Sequence, residues 1–451
     1  MTQQDPTPVF CSKEHPEIST IGNIGNVKIA GWLLLISLVI SIFHGFYPVG
    51  GIVLSGILSV CAAFFLFHRL IRIQKLQVAV LSFIGLLSIL ISGGEIFSLL
   101  GRAITANNAL ITLIISVGFL RLIIKPNQED EILPKGTKAL WKTLIGVHLF
   151  GAVINLSAIV IFADRLLKKG TLHRAQIMIL SRTFGADALW SPFFAAMGAA
   201  LIYSGGAELS SLMLIGLFMA VCSMLMTGLH SLYVTKQEEY EFEGYPMHME
   251  SLFLPLVLSI LVIAACYLFP DVSILILVAS VVMLTILVYL SVLYTPAKVV
   301  SVFKKHVENG IANSASELLL FLSAGILAIG ISSIVLSADY HLPMTQFTTI
   351  HAAITLICIV FLAFIGLHPV ISISVLGGLL VPLSPDPNLL GLMFLFSWGI
   401  GVVISPLSAI NLTLQSRYNI TGMDLIRMNG GYSVIMLLLG CIILVLYGKP
   451  H

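Results

Sequence analysis

Long apolar runs alternate with short polar connectors along most of the chain. About 20 apolar residues suffice for a helix to cross the hydrocarbon, where a helix satisfies its own backbone. We predict spans at 28–46, 50–68, 77–94, 109–124, 143–163, 207–233, 250–269, 271–294, 317–337, 347–365, 388–412 and 428–447. The connectors are too short to bury a core of their own. The pattern therefore predicts an all-α polytopic membrane protein with about 10–12 transmembrane helices.

Two further apolar stretches, 183–204 and 366–384, are interrupted by Gly, Pro and Ser. Broken backbone at membrane depth is tolerated only where protein, water or a ligand satisfies the freed N–H and C=O groups. We therefore interpret both stretches as re-entrant or discontinuous segments that line a site.

The two halves of the chain show a weak internal similarity. Residues 184–192 (FGADALWSP) resemble 365–373 (IGLHPVISI) at an offset of 181 residues, and 155–164 (NLSAIVIFAD) resemble 330–339 (GISSIVLSAD). We predict a polar tail at 1–27, N-terminal helices at 28–108, and two transport repeats at 109–269 and 270–447. Internal repeats with broken helices in matching positions are typical of secondary transporters.

Basic residues flank the two broken stretches unequally, which predicts that the repeats are inverted. No Lys or Arg stands between residues 339 and 366, before the second stretch. Before the first stretch lie Arg165, Lys168, Lys169, Arg174 and Arg182. Because cytoplasmic connectors are enriched in Lys and Arg, the two approaches are expected on opposite sides of the membrane.

This layout resembles the ion transporter superfamily, which includes dicarboxylate, citrate and arsenite permeases. The resemblance covers residues 110–447, with Ser191-Pro192 and Ser372-Ile373-Ser374 at the comparable hairpin positions. The Ser-Asn-Thr signature of the dicarboxylate branch is absent. The resemblance implies two inverted repeats, each with a re-entrant hairpin and a discontinuous helix, that move against a homodimeric scaffold.

The amino-acid composition limits the kinds of partner that the chain can bind. Hydrophobic residues make up 58% of the chain and charged residues 10%, so a lipid bilayer is needed to cover the outer surface. The net charge of +2 argues against nucleic acid. The six cysteines show no metal-binding spacing, and we predict no cofactor beyond a coupling Na⁺ or H⁺.

Polar side chains within apolar stretches are the candidate site residues, because ionisable groups in a membrane are costly. Asp187 and His368, paired by the repeat, are candidate ion or proton carriers; the alternative is that each caps a half-helix. Arg182 is interpreted as an interfacial anchor, with anion binding as the alternative. The remaining candidates for solute or ion binding are Asn155, Ser157, Ser191, Ser372, Ser374, Ser405, Ser408 and Asn411.

These features favour a secondary active transporter in a bacterial inner membrane. It would move a small solute, preferably an anion, together with H⁺ or Na⁺. A cation/proton antiporter is the first alternative, and a membrane-embedded enzyme or assembly protein for a lipid-linked substrate is the second. The sequence contains no Walker A loop, HExxH motif or nucleophile elbow, so we expect no enzyme activity.

Overall fold

The computed structural model describes residues 22–123, 133–167, 171–246, 253–337 and 346–448. Within these ranges nine helical stretches are long and apolar enough to cross a membrane, and three shorter apolar helices accompany them. The predicted all-α polytopic fold is confirmed, and the chain is an integral membrane protein. Most of the predicted tail, like Lys168 and Lys169, lies outside the described residues, and α1 already begins at Gly22.

The chain is ordered as an N-terminal group of helices, a first segment, a linking group and a second segment. The N-terminal group is α1 (Gly22–Phe46), α2 (Ile52–Leu66), α3 (Arg72–Ile91), α4 (Ile96–Thr105) and α5 (Asn108–Gly118). The first segment is α6 (Thr137–Ile154), α7 (Leu156–Leu167), α8 (Arg174–Ala188), α9 (Ala195–Tyr203) and α10 (Leu209–Gln237). The linking group is α11 (Phe253–Leu268), α12 (Ile274–Leu293), α13 (Pro296–Lys305) and α14 (Ala315–Ser337). The second segment is α15 (Thr349–Phe364), α16 (Pro369–Leu380), α17 (Pro387–Ile404), α18 (Ala409–Tyr418) and α19 (Gly422–Tyr447).

Small residues let the scaffold helices approach closely, as is common between membrane helices. The hydroxyls of Ser37 in α1 and Ser55 in α2 lie 2.8 Å apart, and Ser41 lies 2.7 Å from Ser55. A Cβ built on Gly85 of α3 would lie 2.7 Å from the carbonyl oxygen of Ile326 in α14. These contacts hold α1 against α2 and α3 against α14.

The first and second segments repeat the same order of elements at an offset of 213 residues. For example, α8 begins at residue 174 and α17 at 387, while α10 begins at 209 and α19 at 422. The predicted offset of 181 is therefore wrong, and Asp187 and His368 are not equivalent. The short Gly/Ser/Pro similarity had matched a broken helix of the first segment with a hairpin limb of the second.

Each segment starts with a helical hairpin. The predicted uninterrupted span 143–163 is wrong, because the chain turns back between α6 and α7 at Asn155, which has φ of 52°. The rings of Phe150 and Phe162 lie 5.9 Å apart across this turn, whereas a continuous helix would separate them by about 18 Å. In the second segment, α15 and α16 meet at residues 365–368, where Gly366 has φ of 102°.

The hairpins open toward opposite ends of the helix bundle. At what we call the first end, Asp164 near the close of α7 pairs with Arg417 near the close of α18 at 2.7 Å. At the second end, the Glu208 amide before α10 donates to the Asn388 side chain in the first turn of α17 at 2.7 Å. The broken helix α8–α9 therefore runs from the first end to the second, and α17–α18 runs the opposite way.

Candidate functional site

The two broken helices cross at equivalent glycines. A Cβ built on Gly185 of α8 would lie 2.6 Å from the carbonyl oxygen of Gly399 in α17. A Cβ built on Gly399 would lie 3.0 Å from the carbonyl oxygen of Gly185. The neighbours are reciprocal too, since Leu189 packs on Gly399 and Val403 packs on Gly185. Such an exchange of equivalent contacts is the mark of a two-fold relation, here between the two segments of one chain.

Both helix breaks follow directly after this crossing and share a Ser-Pro pair. Residues 185–197 (GADALWSPFFAAM) align with 399–411 (GIGVVISPLSAIN) at an offset of 214, which matches Ser191-Pro192 with Ser405-Pro406. Proline removes a backbone donor and prevents the helix from continuing. The sequence therefore breaks both helices at the same depth beside their crossing point.

Each hairpin tip packs on the break of its own segment. The Asn155 side chain donates to the carbonyl of Phe193 at 3.2 Å, and the Ser191 hydroxyl donates to the carbonyl of Ala152. In the second segment, a Cβ built on Gly366 would lie 2.9 Å from the side chain of Leu407. These contacts bring both tips to the middle of the bundle, where the broken helices cross.

Asp187 is completely buried on the last turn of α8 before the break. Its Oδ1 lies 2.6 Å from Nδ1 of His148 in α6, although the ring N–H is not aligned with the carboxylate. Neither carboxylate oxygen has a hydrogen-bond partner within the part of the chain that the structure describes. The carboxylate also lies directly against Gly151, where a methyl group would collide with it. A buried carboxylate with unfilled acceptor capacity is well placed to take up a cation or a proton.

The contacts of His148 define its protonation. Trp190 donates its indole N–H to Nε2 of His148 at 3.2 Å. Because an indole nitrogen only donates, Nε2 must be the unprotonated nitrogen of the ring. The single proton of the imidazole is then on Nδ1, beside Asp187. The sequence did not reveal His148 as a site residue, because only the packing of α6 on α8 brings it to Asp187.

The polar residues after the second break satisfy backbone groups. The Asn411 side chain donates to the carbonyls of Val403 and Ser405 at 3.0 and 2.8 Å, and Ser408 accepts from the Asn411 amide. The Ser405 hydroxyl and the Asn411 side-chain oxygen are buried without a hydrogen-bond partner among the described residues. Asn411 therefore replaces the helical bonds lost at the break, and two acceptors stay open beside it.

The second hairpin tip carries the other predicted residues. His368 is the N-cap of α16, accepting from the Val370 amide at 3.2 Å, and its ring meets Trp398 edge to face at 5.2 Å. Ser374 is buried and donates to the carbonyl of Ile371 within its own helix, while Ser372 is buried one turn from the tip. Of these three, His368 is the one at the tip itself, and capping is the role its contacts show.

Arg182 lies inside the bundle, and its interpretation as an interfacial anchor is wrong. The side chain is completely buried. It donates to the Asn429 side chain at 3.0 Å and to the Met428 carbonyl at 2.7 Å, and it stacks on Tyr432 with 4.6 Å to the ring centre. These contacts with α19 satisfy the buried guanidinium and fix α8 to the last helix.

Two charged residues that the sequence did not single out lie next to the hairpin tips. Arg121, beyond the end of α5, donates through Nε to the Ser157 hydroxyl just after the first tip. Glu317, in the first turn of α14, lines a cavity of about 30 Å³ together with Gly366 and His368 of the second tip. Both stand near the ends of predicted spans, where charged side chains are ordinary.

No protein-family model and no curated protein matches the chain. One solved structure that it resembles is reported as the crystal structure of the Alcanivorax borkumensis YdaH transporter, with an unusual topology. The two are 13% identical, the match covers 92% of this chain and 88% of that chain, and the TM-score is 0.49. A likeness this distant assigns neither a family nor a function to this chain.

Proposed function

We propose that the chain is a secondary active transporter for a small solute with an anionic group, coupled to protons. The arrangement that carries the proposal is the pair of hairpins that enter from opposite ends and meet where two antiparallel broken helices cross. Inverted repeats with broken helices around a central site are the architecture of alternating access. Broken backbone at this depth is expected only where it lines a cavity or is buried in protein.

The direction of the half-helices supports an anionic group on the solute. Four helices begin at the tips or breaks, namely α7 at Leu156, α9 at Ala195, α16 at Pro369 and α18 at Ala409. The N-terminus of a helix presents free N–H groups and a partial positive charge. Four such ends near the middle of the bundle favour a carboxylate, phosphate or similar group there.

The surroundings of Asp187 support a proton as the coupling ion. A hard metal cation needs several oxygen ligands around it. The Asp187 carboxylate instead faces an imidazole that carries its proton on the nearer nitrogen, and its other side is filled by Gly151. A proton requires no such space and can be held between the carboxylate and the ring. A cation/proton antiporter using the same Asp187 is the second candidate, because this carboxylate alone would suffice for it.

Charge at the two ends of the bundle supports an orientation. Glu208 and Asp386 flank helix starts at the second end. At the first end lie Lys138, Lys142, Arg165, Arg174 and Arg417. Under the positive-inside rule the first end is cytoplasmic.

We expect cysteines introduced at two exposed positions to report this orientation. In a variant without native cysteines, Lys138→Cys is exposed at the first end and Ser210→Cys at the second. A membrane-impermeant thiol reagent applied to intact cells should label Ser210→Cys and should leave Lys138→Cys unlabelled until the cells are opened. Labelling of both or neither in intact cells would contradict the hairpin of α6 and α7, because an uninterrupted helix there would put both positions on one side of the membrane.

The function itself is tested in proteoliposomes that enclose a pH-sensitive dye. Addition of a transported solute should change the internal pH without Na⁺, and the change should vanish in empty liposomes. A panel of carboxylates, phosphate and amino acids identifies the solute. If solute enters only with Na⁺, the coupling assignment is wrong. If cations change the internal pH and no solute does, the antiporter is correct.

A further inference from the structure

A positive and a negative side chain face the same region of the bundle from the two hairpin tips. Arg121 is held at the first tip through Ser157. Glu317 belongs to the cavity at the second tip, where Gln77 of α3 donates to the Gly366 carbonyl at 3.0 Å. The other polar side chains that line this cavity are Gln74, Ser316 and His368. The cavity therefore has polar walls inside an otherwise apolar bundle.

The two charges attract each other without forming a direct ion pair. The electrostatic interaction between Arg121 and Glu317 is mutual, and both side chains are half-buried. Among the described residues neither forms a salt bridge of ordinary length. Separated charges among membrane helices are costly, because each loses part of its hydration and neither gains an oppositely charged group at close range. A ligand with complementary charges would remove that cost.

A purely structural role does not explain the arrangement of Arg121 and Glu317. An acidic residue in the first turn of a helix stabilises it through the helix dipole, which explains a Glu at position 317 but not an Arg beside it. A purely structural pair gains most when the two groups meet in bidentate contact. Here Arg121 instead donates from Nε to the hairpin residue Ser157, and Glu317 is one of the residues that line the cavity.

We propose that Arg121 and Glu317 are the two poles of the solute site, and that the solute is a zwitterion with separate carboxylate and ammonium groups. The carboxylate is held by Arg121 and the helix N-termini at the tips, and the ammonium by Glu317. This inference rests on the proposed transporter function and narrows its solute from an anion to an amino-carboxylate. Because each tip contributes to one pole, a zwitterion of the right length would also join the two hairpins.

Solutes of matched length and different charge test this assignment. The purified protein is titrated with ω-amino acids from glycine to 6-aminohexanoate, with dicarboxylates and with diamines of equal chain length. Binding is followed by tryptophan fluorescence and by the shift in Tm. We expect one amino acid to bind at least about tenfold more tightly than the dicarboxylate and the diamine of its length, since a missing charged partner costs about 1.5–3 kcal/mol.

Variants of the two poles should change this preference in different ways. Glu317→Gln should weaken amino-acid binding about tenfold and leave the dicarboxylate unchanged or tighter, while Arg121→Gln should weaken both. Arg121→Lys keeps the charge and should recover part of the affinity. Glu95→Gln and Arg102→Gln change exposed residues of the same types and should have no effect. Folding of each variant is checked by its Tm without solute.

Three results would overturn the zwitterion site: no amino acid of the series binds, a dicarboxylate binds more tightly than every amino acid, or Glu317→Gln weakens both classes equally. Uptake in proteoliposomes separates this inference from the proposed function. Proton-coupled uptake of a dicarboxylate would leave the transporter in place and remove the zwitterion. Selective amino-acid binding without uptake of any solute would support the zwitterion site and contradict the transporter function.

Discussion

An Asp187→Asn variant is expected to lose solute-driven proton movement almost completely, by at least about a hundredfold, while it still folds. Asn has nearly the same shape as Asp, but its side-chain amide does not titrate and so cannot take up a proton. The close contact of the native carboxylate is with Nδ1 of His148 at 2.6 Å, and an Asn side-chain oxygen can accept from the same ring nitrogen, so the substitution keeps the contact that holds the fold. The loss is therefore expected in coupling rather than in stability.

Two transport measurements on this variant separate the proposed mechanisms. Exchange of labelled for unlabelled solute across the membrane needs no net proton movement, and we expect Asp187→Asn to retain it. Proton influx driven by a solute gradient should disappear. If the protein is a cation/proton antiporter, the variant instead loses the pH change driven by a cation gradient, and no solute dependence exists in the wild type.

Asp164→Asn is the matched control, because Asp164 is an exposed carboxylate at the first end that pairs with Arg417. Exposed ion pairs contribute about 0–1 kcal/mol, so this variant should fold and transport as the wild type does. Wild-type proton coupling in Asp187→Asn would show that the proton travels elsewhere. Loss of folded protein in Asp187→Asn, but not in Asp164→Asn, would mean that the carboxylate is structural.

The apolar runs predicted most helices correctly, because a membrane helix must be both long and apolar. They could not distinguish a straight span from a hairpin, because both place an apolar run of similar length within the membrane. The turn in 143–163 is marked by Asn155 alone, without Gly or Pro at the tip. Asn tolerates positive φ, which allows such a turn, but an Asn inside an apolar helix looks the same in sequence.

The repeat was recognised at the wrong offset for a physical reason. Gly, Ser and Pro occur wherever membrane backbone is broken, so hairpin tips and helix breaks share a composition. Only the distance between elements distinguishes them, and that distance is fixed by the helix lengths in the structure. The Ser-Pro pairs at 191–192 and 405–406 each follow a Gly by six residues, but so short a match stands out only once the helix breaks are known.

The candidate site could be predicted only in part. Asp187 was identified because a carboxylate within an apolar stretch is costly and therefore conspicuous. Its neighbour His148 became visible only when α6 folded against α8. Arg121 and Glu317 were hidden by their place at span ends, because a charged residue there has an ordinary explanation at the membrane surface.

Substitution of the crossing glycines is expected to have the largest effect on the fold. Replacing Gly by Ala inside a helix normally stabilises it by about 0.5–1 kcal/mol, because the unfolded chain loses freedom. At Gly185 the added methyl would lie 2.6 Å from a backbone oxygen of α17, which cannot move like a side chain. We therefore expect Gly185→Ala to lower the Tm, and Gly185→Leu to abolish recovery of monodisperse protein.

The reciprocity of the crossing makes this prediction stricter. Gly399→Ala should lower the Tm as well, because its methyl would approach the Gly185 carbonyl and the Leu189 side chain. Gly101, in the middle of α4, is the control: a Cβ built there meets nothing within 4 Å, so Gly101→Ala should raise or keep the Tm. Fluorescence size-exclusion profiles and thermal melts in one detergent give the comparison. If all three alanine variants behave alike, the broken helices do not cross at these glycines, and the hairpin tips lose the frame that brings them together.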